Sequence, residues 1–203
     1  MEALAAYDFV GGAVIATSRD PKRPNAVEAF ERVFAFDFKR NIEDVGFTGT
    51  GNMFLPKSVF DAVGPFRTGV AEDMEWSFRA RDKGFRLGYA PEAVVGHPVR
   101  RNWTELKRRW TRMEEERFLL ATEQRFGRGK YLVRALAMPL SILPHAWRAI
   151  RSDRLERSRD RIGAIGVLAR LRIWQSGKML ALLTLSLRPR WMAQAGWNRK
   201  SRA

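Results

Sequence analysis

One acidic cluster and one histidine stand out as groups able to move a proton or hold an ion. Glu72-Asp73, with Glu75 close behind, open a run with helical character that stops at Gly84. A carboxylate at a loop-to-helix junction is held by backbone N–H groups and by the positive end of the helix dipole, which keeps it ionised at neutral pH. That suits a general base taking a proton from an attacking hydroxyl. Acids at helix starts also serve as simple charge complements, and spacing alone favours that commoner role. His97 follows the apolar pair Val94-Val95 and precedes Pro98. A neutral imidazole there has the chemistry of a divalent-metal ligand or of a hydrogen-bonded strand-end side chain. No second ligand stands at ligand spacing from it. Gly49, Gly51 and Asn52 make a turn where backbone can approach a ligand closely. That turn has neither the Gly-Lys-Ser/Thr ending of a phosphate loop nor Rossmann glycine spacing. His145, in an apolar segment beside Pro144 and Trp147, reads as structural or interfacial.

The elements that position these groups follow from periodicity and punctuation. Residues 7–17, rich in Val, Ile and aromatics with two glycines, read as a strand. Asn25 and Glu28 have capping-box spacing, and Val27, Phe30, Phe34, Phe38, Ile42 and Val45 continue at helical spacing to a stop at Gly46. Residues 48–55 read as a strand entered by a glycine turn, and residues 58–64 as a short helix with a glycine stop. A loop over 66–71 leads into the helix begun by Glu72 and ending near Lys83. Phe85, Leu87 and Tyr89 alternate as in a half-buried strand; Pro91 breaks it, and Val94-Val95 form a second short strand that delivers His97.

Beyond Val99 the character changes. Asn102 to Glu105 is again cap-like, and Trp103, Leu106, Trp110, Met113 and Leu120 mark one face of a long helix. Residues 131–150 are apolar but interrupted by Pro139 and Pro144. Residues 151–161 form a basic hinge, and 162–187 a second amphipathic stretch with Ala164, Val167, Leu171 and Trp174 on one face. The tail, 188–203, is basic and carries Trp191 and Trp197.

Charge divides the chain in the same place. Residues 1–98 hold 12 Lys and Arg against 14 Asp and Glu, a net of −2, whereas residues 99–203 hold 25 against 8, a net of +17. The first half reads as an ordinary near-neutral domain and the second as a basic appendage that would seek a polyanion. There is no cysteine, which excludes a disulfide framework or a thiolate metal site and fits a reducing compartment. No basic n-region opens the chain, and no apolar run reaches the ~20 residues needed to span a bilayer.

Taken in order, the motifs are more specific than any one of them. Thr48-Gly49-Thr50-Gly51-Asn52, the short helix ending Ala62-Val63-Gly64-Pro65-Phe66, Glu72-Asp73-Met74-Glu75-Trp76, and Pro91 to His97 resemble the C-terminal half of the catalytic domain of family 2 glycosyltransferases. The resemblance covers about residues 7–101. It implies an α/β, Rossmann-like GT-A fold, here partial, over residues 1–101, followed over 102–203 by a basic amphipathic helical, membrane-interfacial region.

It also implies roles. Asp73 matches the catalytic base, with Glu72 beside it. Gly51 and Asn52 match the turn on the acceptor side, and Trp76 the helix face toward the acceptor. His97 matches a histidine that completes metal coordination in some members. Arg109-Trp110 matches the arginine-tryptophan pair of a Gln-x-x-Arg-Trp motif, with Leu106 at the glutamine position, a departure from the processive pattern. The expected cofactor is a divalent cation, Mg²⁺ or Mn²⁺, with its main ligands in an N-terminal nucleotide-binding half that this chain lacks.

The implied reaction is inverting transfer from a nucleoside-diphosphate sugar to a glycan or lipid-linked acceptor hydroxyl. The chain would work at the cytoplasmic face of a membrane with anionic lipid, and be inactive without a nucleotide-binding half from its own longer polypeptide or a partner chain. Two other readings remain: a non-enzymatic membrane-associated interaction module, and a nucleic-acid binder. For the latter the basic charge is necessary but unspecific, and no nucleic-acid-binding signature accompanies it.

Overall fold

The structure, a computed structural model, describes residues 3–186. A one-turn helix α1 (Ala3–Ala6) leads into strand β1 (Phe9–Thr17). Helix α2 (Ala26–Phe34) starts on a complete capping box: the Asn25 side chain accepts the amides of Val27 and Glu28, and the Glu28 carboxylate accepts the Asn25 amide at 2.9 Å. The long helix expected up to Gly46 is interrupted. Ala35 turns extended and Phe36 takes a left-handed φ of 61°. The chain then resumes as α3 (Phe38–Arg40) and a π turn over Asn41–Val45, which does end on a left-handed Gly46. The interruption places the Phe36 ring 4.4 Å from that of His97, with the Arg109 guanidinium 5.3 Å from its centroid. These contacts offset a backbone strain of about 1–2 kcal/mol for a bulky residue in that region.

The strand expected over 48–55 is mostly turn: a 3₁₀ turn over Thr50–Asn52 precedes the two-residue strand β2 (Met53–Phe54). Helices α4 (Lys57–Val63) and α5 (Glu72–Asp82) follow, stopping at the left-handed Gly64 and Gly84. Strand β3 (Leu87–Pro98) then runs parallel to β1, and β2 pairs antiparallel with β1 on its other side, giving the order β2-β1-β3. Pro91 does not break β3. Gly12 pairs with Ala90 and Ala13 with Val94, so residues 91–93 bulge out of the ladder at a point where no N–H is demanded of the proline.

Asn52 fastens that bulge: its amide nitrogen donates to the carbonyls of Ala13 and Ala93, both at 2.8 Å. A side-chain carbon at Gly12 would lie 2.2 Å from the Ala93 oxygen and 2.4 Å from the Asn52 amide nitrogen, so only glycine leaves room for the clasp.

The rest is helical: α6 (Trp103–Thr122), α7 (Gly127–Ala137), α8 (Ile142–Ile150) and α9 (Ser158–Ser186). One core packs Phe9 of β1 with Val59 and Val63 of α4 and Trp76 and Ala80 of α5. A second packs α2 through Val27, Phe30 and Val33 against Leu106, Ala149 and the α9 residues Ala164, Val167, Leu168 and Leu171. A third joins Phe118, Tyr131, Ala135, Met138 and Met179. The apolar face of α9, expected at a membrane interface, is therefore covered by α2. The charge step near residue 99 marks a change of composition, while the packing runs across it. The mixed α/β expectation holds for the described residues. The basic tail with Trp191 and Trp197 lies outside them.

Candidate active site

The placement of Glu72-Asp73 is fixed from the far side of α5. The Trp76 indole donates to the Gly64 carbonyl at 2.8 Å, and Arg79 donates to the carbonyls of Val63 and Pro65, so the corner after α4 is locked to α5. Arg67 in the approach loop makes a two-pronged bond to Glu123 just past α6, at 2.7 and 3.0 Å. Ser77 donates to the Asp73 carbonyl at 2.7 Å and accepts the Thr48 amide, tying the first turn of α5 to the glycine turn.

The result is a cavity of about 370 Å³. Glu72 and Asp73 line one wall, with Gly49, Thr50 and Gly51 beside them; Phe36, Asp37 and His97 line another. The third wall is one face of α6, carrying Arg109, Trp110, Arg112, Met113, Glu116 and Arg117. The Asp73 carboxylate accepts the Met74 amide at 3.0 Å. Burial raises its pKa above the ordinary carboxylate value, and the neighbouring Glu72 charge adds to this; the Met74 amide and Arg117 pull the other way. Glu116 is likewise raised, first by burial and then by the charges of Glu72 and Asp73.

Opposite these acids, Glu31 of α2 is fully buried and accepts the Arg100 amide at 2.6 Å and Arg109 Nη1 at 3.1 Å. Burial and the nearby Arg100 charge depress the Arg109 guanidinium, while Glu31 supports it. The Trp110 indole N–H faces no hydrogen-bond partner among the described residues.

The sequence-derived site is thus gathered in part. Asp73, Glu72, Gly51, His97, Arg109 and Trp110 line one cavity. Asn52 and Trp76 do not. Asn52 is buried as the clasp of the β-bulge, and Trp76 is wholly enclosed against Phe9, Phe60 and Phe66 with its N–H already used, so neither can touch an acceptor in this structure. Glu75 is drawn into an ion pair with Arg79 at 3.0 Å and lies off the cavity lining. Leu106, at the glutamine position, is core.

Glu31, Phe36, Asp37, Glu116 and Arg117 enter the site unannounced. For those on α6 the available signal is spacing: 113, 116 and 117 follow the arginine-tryptophan pair at helical intervals.

His97 Nδ1 lies 2.9 Å from the Pro98 carbonyl, which can only accept, so the proton sits on Nδ1 and the Nε2 lone pair is open. That fits a single metal ligand. Among the described residues no three His, Asp or Glu side chains gather closely enough to hold an ion, so these residues alone do not form a metal centre.

A fold whose α5 delivers paired acids to such a cavity agrees with what comparison finds. Residues 6–185 match the family described as glycosyl transferase family group 2, and the chain belongs to that family. Among curated proteins it is similar to the glycosyltransferase AglE of Haloferax volcanii, 32% identical over 95 residues. That match covers 46% of this chain and 31% of the relative, so the chain spans about a third of the length of the curated protein it matches. No solved structure matches it.

Proposed function

We propose that the chain carries the acceptor side and the catalytic base of an inverting glycosyltransferase that moves a sugar from a nucleoside-diphosphate sugar to an acceptor hydroxyl. The observation that carries this reading is Asp73. Its carboxylate sits at the start of α5 on the cavity wall, partly buried, with its proton affinity raised above that of an ordinary carboxylate. In the reaction the acceptor oxygen bonds to the anomeric carbon as the bond from that carbon to the diphosphate oxygen breaks. The diphosphate leaves with the bonding electrons, and the hydroxyl proton passes to Asp73.

Burial is the main cause of that raised proton affinity, and the Glu72 charge adds to it. Trp110 lines the cavity and offers its ring to a sugar, while Arg109, held by Glu31, fixes that wall. A divalent cation would neutralise the leaving diphosphate. His97 Nε2 would supply one ligand; no three His, Asp or Glu side chains gather among the described residues, so the set would be completed, and the nucleotide pocket formed, by residues other than those described.

The test is Asp73→Asn in the native-length polypeptide. Turnover is followed as nucleoside diphosphate released from a panel of nucleotide sugars in the presence of a lipid and glycan extract. A loss of about 10²-fold or more is expected of a general base. A near-normal rate rejects the assignment. Residues 1–203 alone are expected to release no nucleoside diphosphate.

A further inference from the structure

Helices α7 and α8 have two apolar faces. One is spent on packing: Tyr131, Ala135, Met138 and Ala149 are buried, the first three of them in the core with Phe118 and Met179. The other is Val133, Leu136, Leu140, Leu143, Trp147 and Ile150, which recur at intervals of three and four residues straight through the turn between the helices. Within each helix that spacing draws an apolar stripe along one side, and Leu140 in the turn between them is exposed as well. A soluble helix normally turns such a stripe inward; here all six side chains are between 47% and 76% exposed.

Charge borders the stripe in one sign only. From residue 127 to residue 151 there are five basic residues, Arg128, Lys130, Arg134, Arg148 and Arg151, and no acidic one. Arg134 leans on Glu114 and Arg148 on Asp37, whereas Arg128, Lys130 and Arg151 are exposed. Arg151 lies 4.2 Å over the Trp147 ring, placing a cation and an amphipathic aromatic at the same level. No helix among the described residues is long and apolar enough to cross a membrane, so the stripe has the character of a surface element that lies along an interface.

We infer that the exposed α7–α8 stripe is a membrane-docking surface that seats in the headgroup layer of an anionic bilayer. The basic rim favours an anionic lipid surface over a neutral apolar partner. The helix that carries the second half of the stripe also adjoins the cavity through other residues: Arg148 of α8 binds Asp37, and His145 packs its ring 6.0 Å from that of Phe34, both residues of the cavity lining. Docking would hold the cavity rim at the headgroup layer. On the reading of the cavity given above, on which this consequence alone rests, the acceptor would be met there.

The absence of cysteine makes the test direct. Leu143→Cys on the stripe and Ile15→Cys on β1 are each labelled with an environment-sensitive fluorophore in the full chain and mixed with vesicles. One set is phosphatidylcholine; the other contains about one-third phosphatidylglycerol. The expected result is a blue shift at position 143 with the anionic vesicles only, and none at position 15. Leu140→Asp with Leu143→Asp should weaken co-sedimentation at least tenfold while leaving the circular dichroism unchanged.

No shift at 143, an equal shift at 15, or a shift that follows protein concentration without lipid overturns the inference; the last would make the stripe a contact between copies. Asp73→Asn protein should bind vesicles as the wild type does, so failure of the base assignment leaves this result standing.

Discussion

Replacing Glu31 by glutamine probes the link between the core and the cavity. The carboxylate is fully buried and serves the Arg100 amide at 2.6 Å, Arg109 Nη1 at 3.1 Å and Arg100 Nη1 at 3.6 Å. Glutamine keeps the shape and one acceptor but removes the charge and turns an NH₂ toward a guanidinium. Breaking a buried ion pair from one side costs about 3–5 kcal/mol, because the surviving charge is left uncompensated. The Arg109 and Arg100 side chains keep 21% and 23% of their surface exposed, so water recovers part of that loss.

The expectation is a destabilisation of about 2–3 kcal/mol. For a chain of this size each kcal/mol moves the melting temperature by about 2–4 °C, so a fall of roughly 5–10 °C is expected. The assay is urea and thermal unfolding of the wild type, Glu31→Gln, Arg109→Met and the double variant. The two changes should couple by about 1 kcal/mol or more, with the double variant more stable than the sum of the singles requires. A Glu31→Gln variant within about 0.5 kcal/mol of the wild type, with additive singles, would refute the idea that this pair holds the α6 wall of the cavity.

Other expectations follow from the same geometry. Because Asp73 binds its proton more tightly when folded than unfolded, its ionisation works against folding. Its contribution is favourable at low pH and is lost as pH rises from the unfolded carboxylate value through the raised folded one. Asp73→Asn should therefore melt higher than the wild type at pH 7 and lose that advantage in acid, as calorimetry across pH would show.

Removing the neighbouring charge in Glu72→Gln should lower the Asp73 pKa and move the acid limb of the kcat/KM profile to lower pH; an unmoved limb would separate Glu72 from the base. Gly12→Ala, whose new carbon would meet the Ala93 oxygen and the Asn52 amide, should lose about 1–3 kcal/mol in urea unfolding.

Much of this protein is local enough to be legible from sequence. The capping box at Asn25 and Glu28 and the glycine stops at 46, 64 and 84 involve groups within a few residues of each other, so chain order determines them. The start of α5 at Glu72, and hence an acid pair at a positive helix end, is of the same kind. The order of motifs carried the family.

Tertiary structure decided which faces meet. Periodicity showed that α9 has an apolar face but not that α2, more than a hundred residues earlier, would cover it, nor that α7 and α8 would leave a second stripe outside. Asn52 and Trp76 carry the right residue types for a binding site, yet a buried amide and a buried indole must first satisfy their own polar groups, and the Ala13, Ala93 and Gly64 carbonyls lay within reach. Glu31 belongs to none of the sequence motifs; the approach of Arg100 and Arg109 from beyond β3 makes it part of the cavity. Caps and helix stops are set within a few residues, whereas burial and the long-range hydrogen bonds depend on what arrives from elsewhere in the chain.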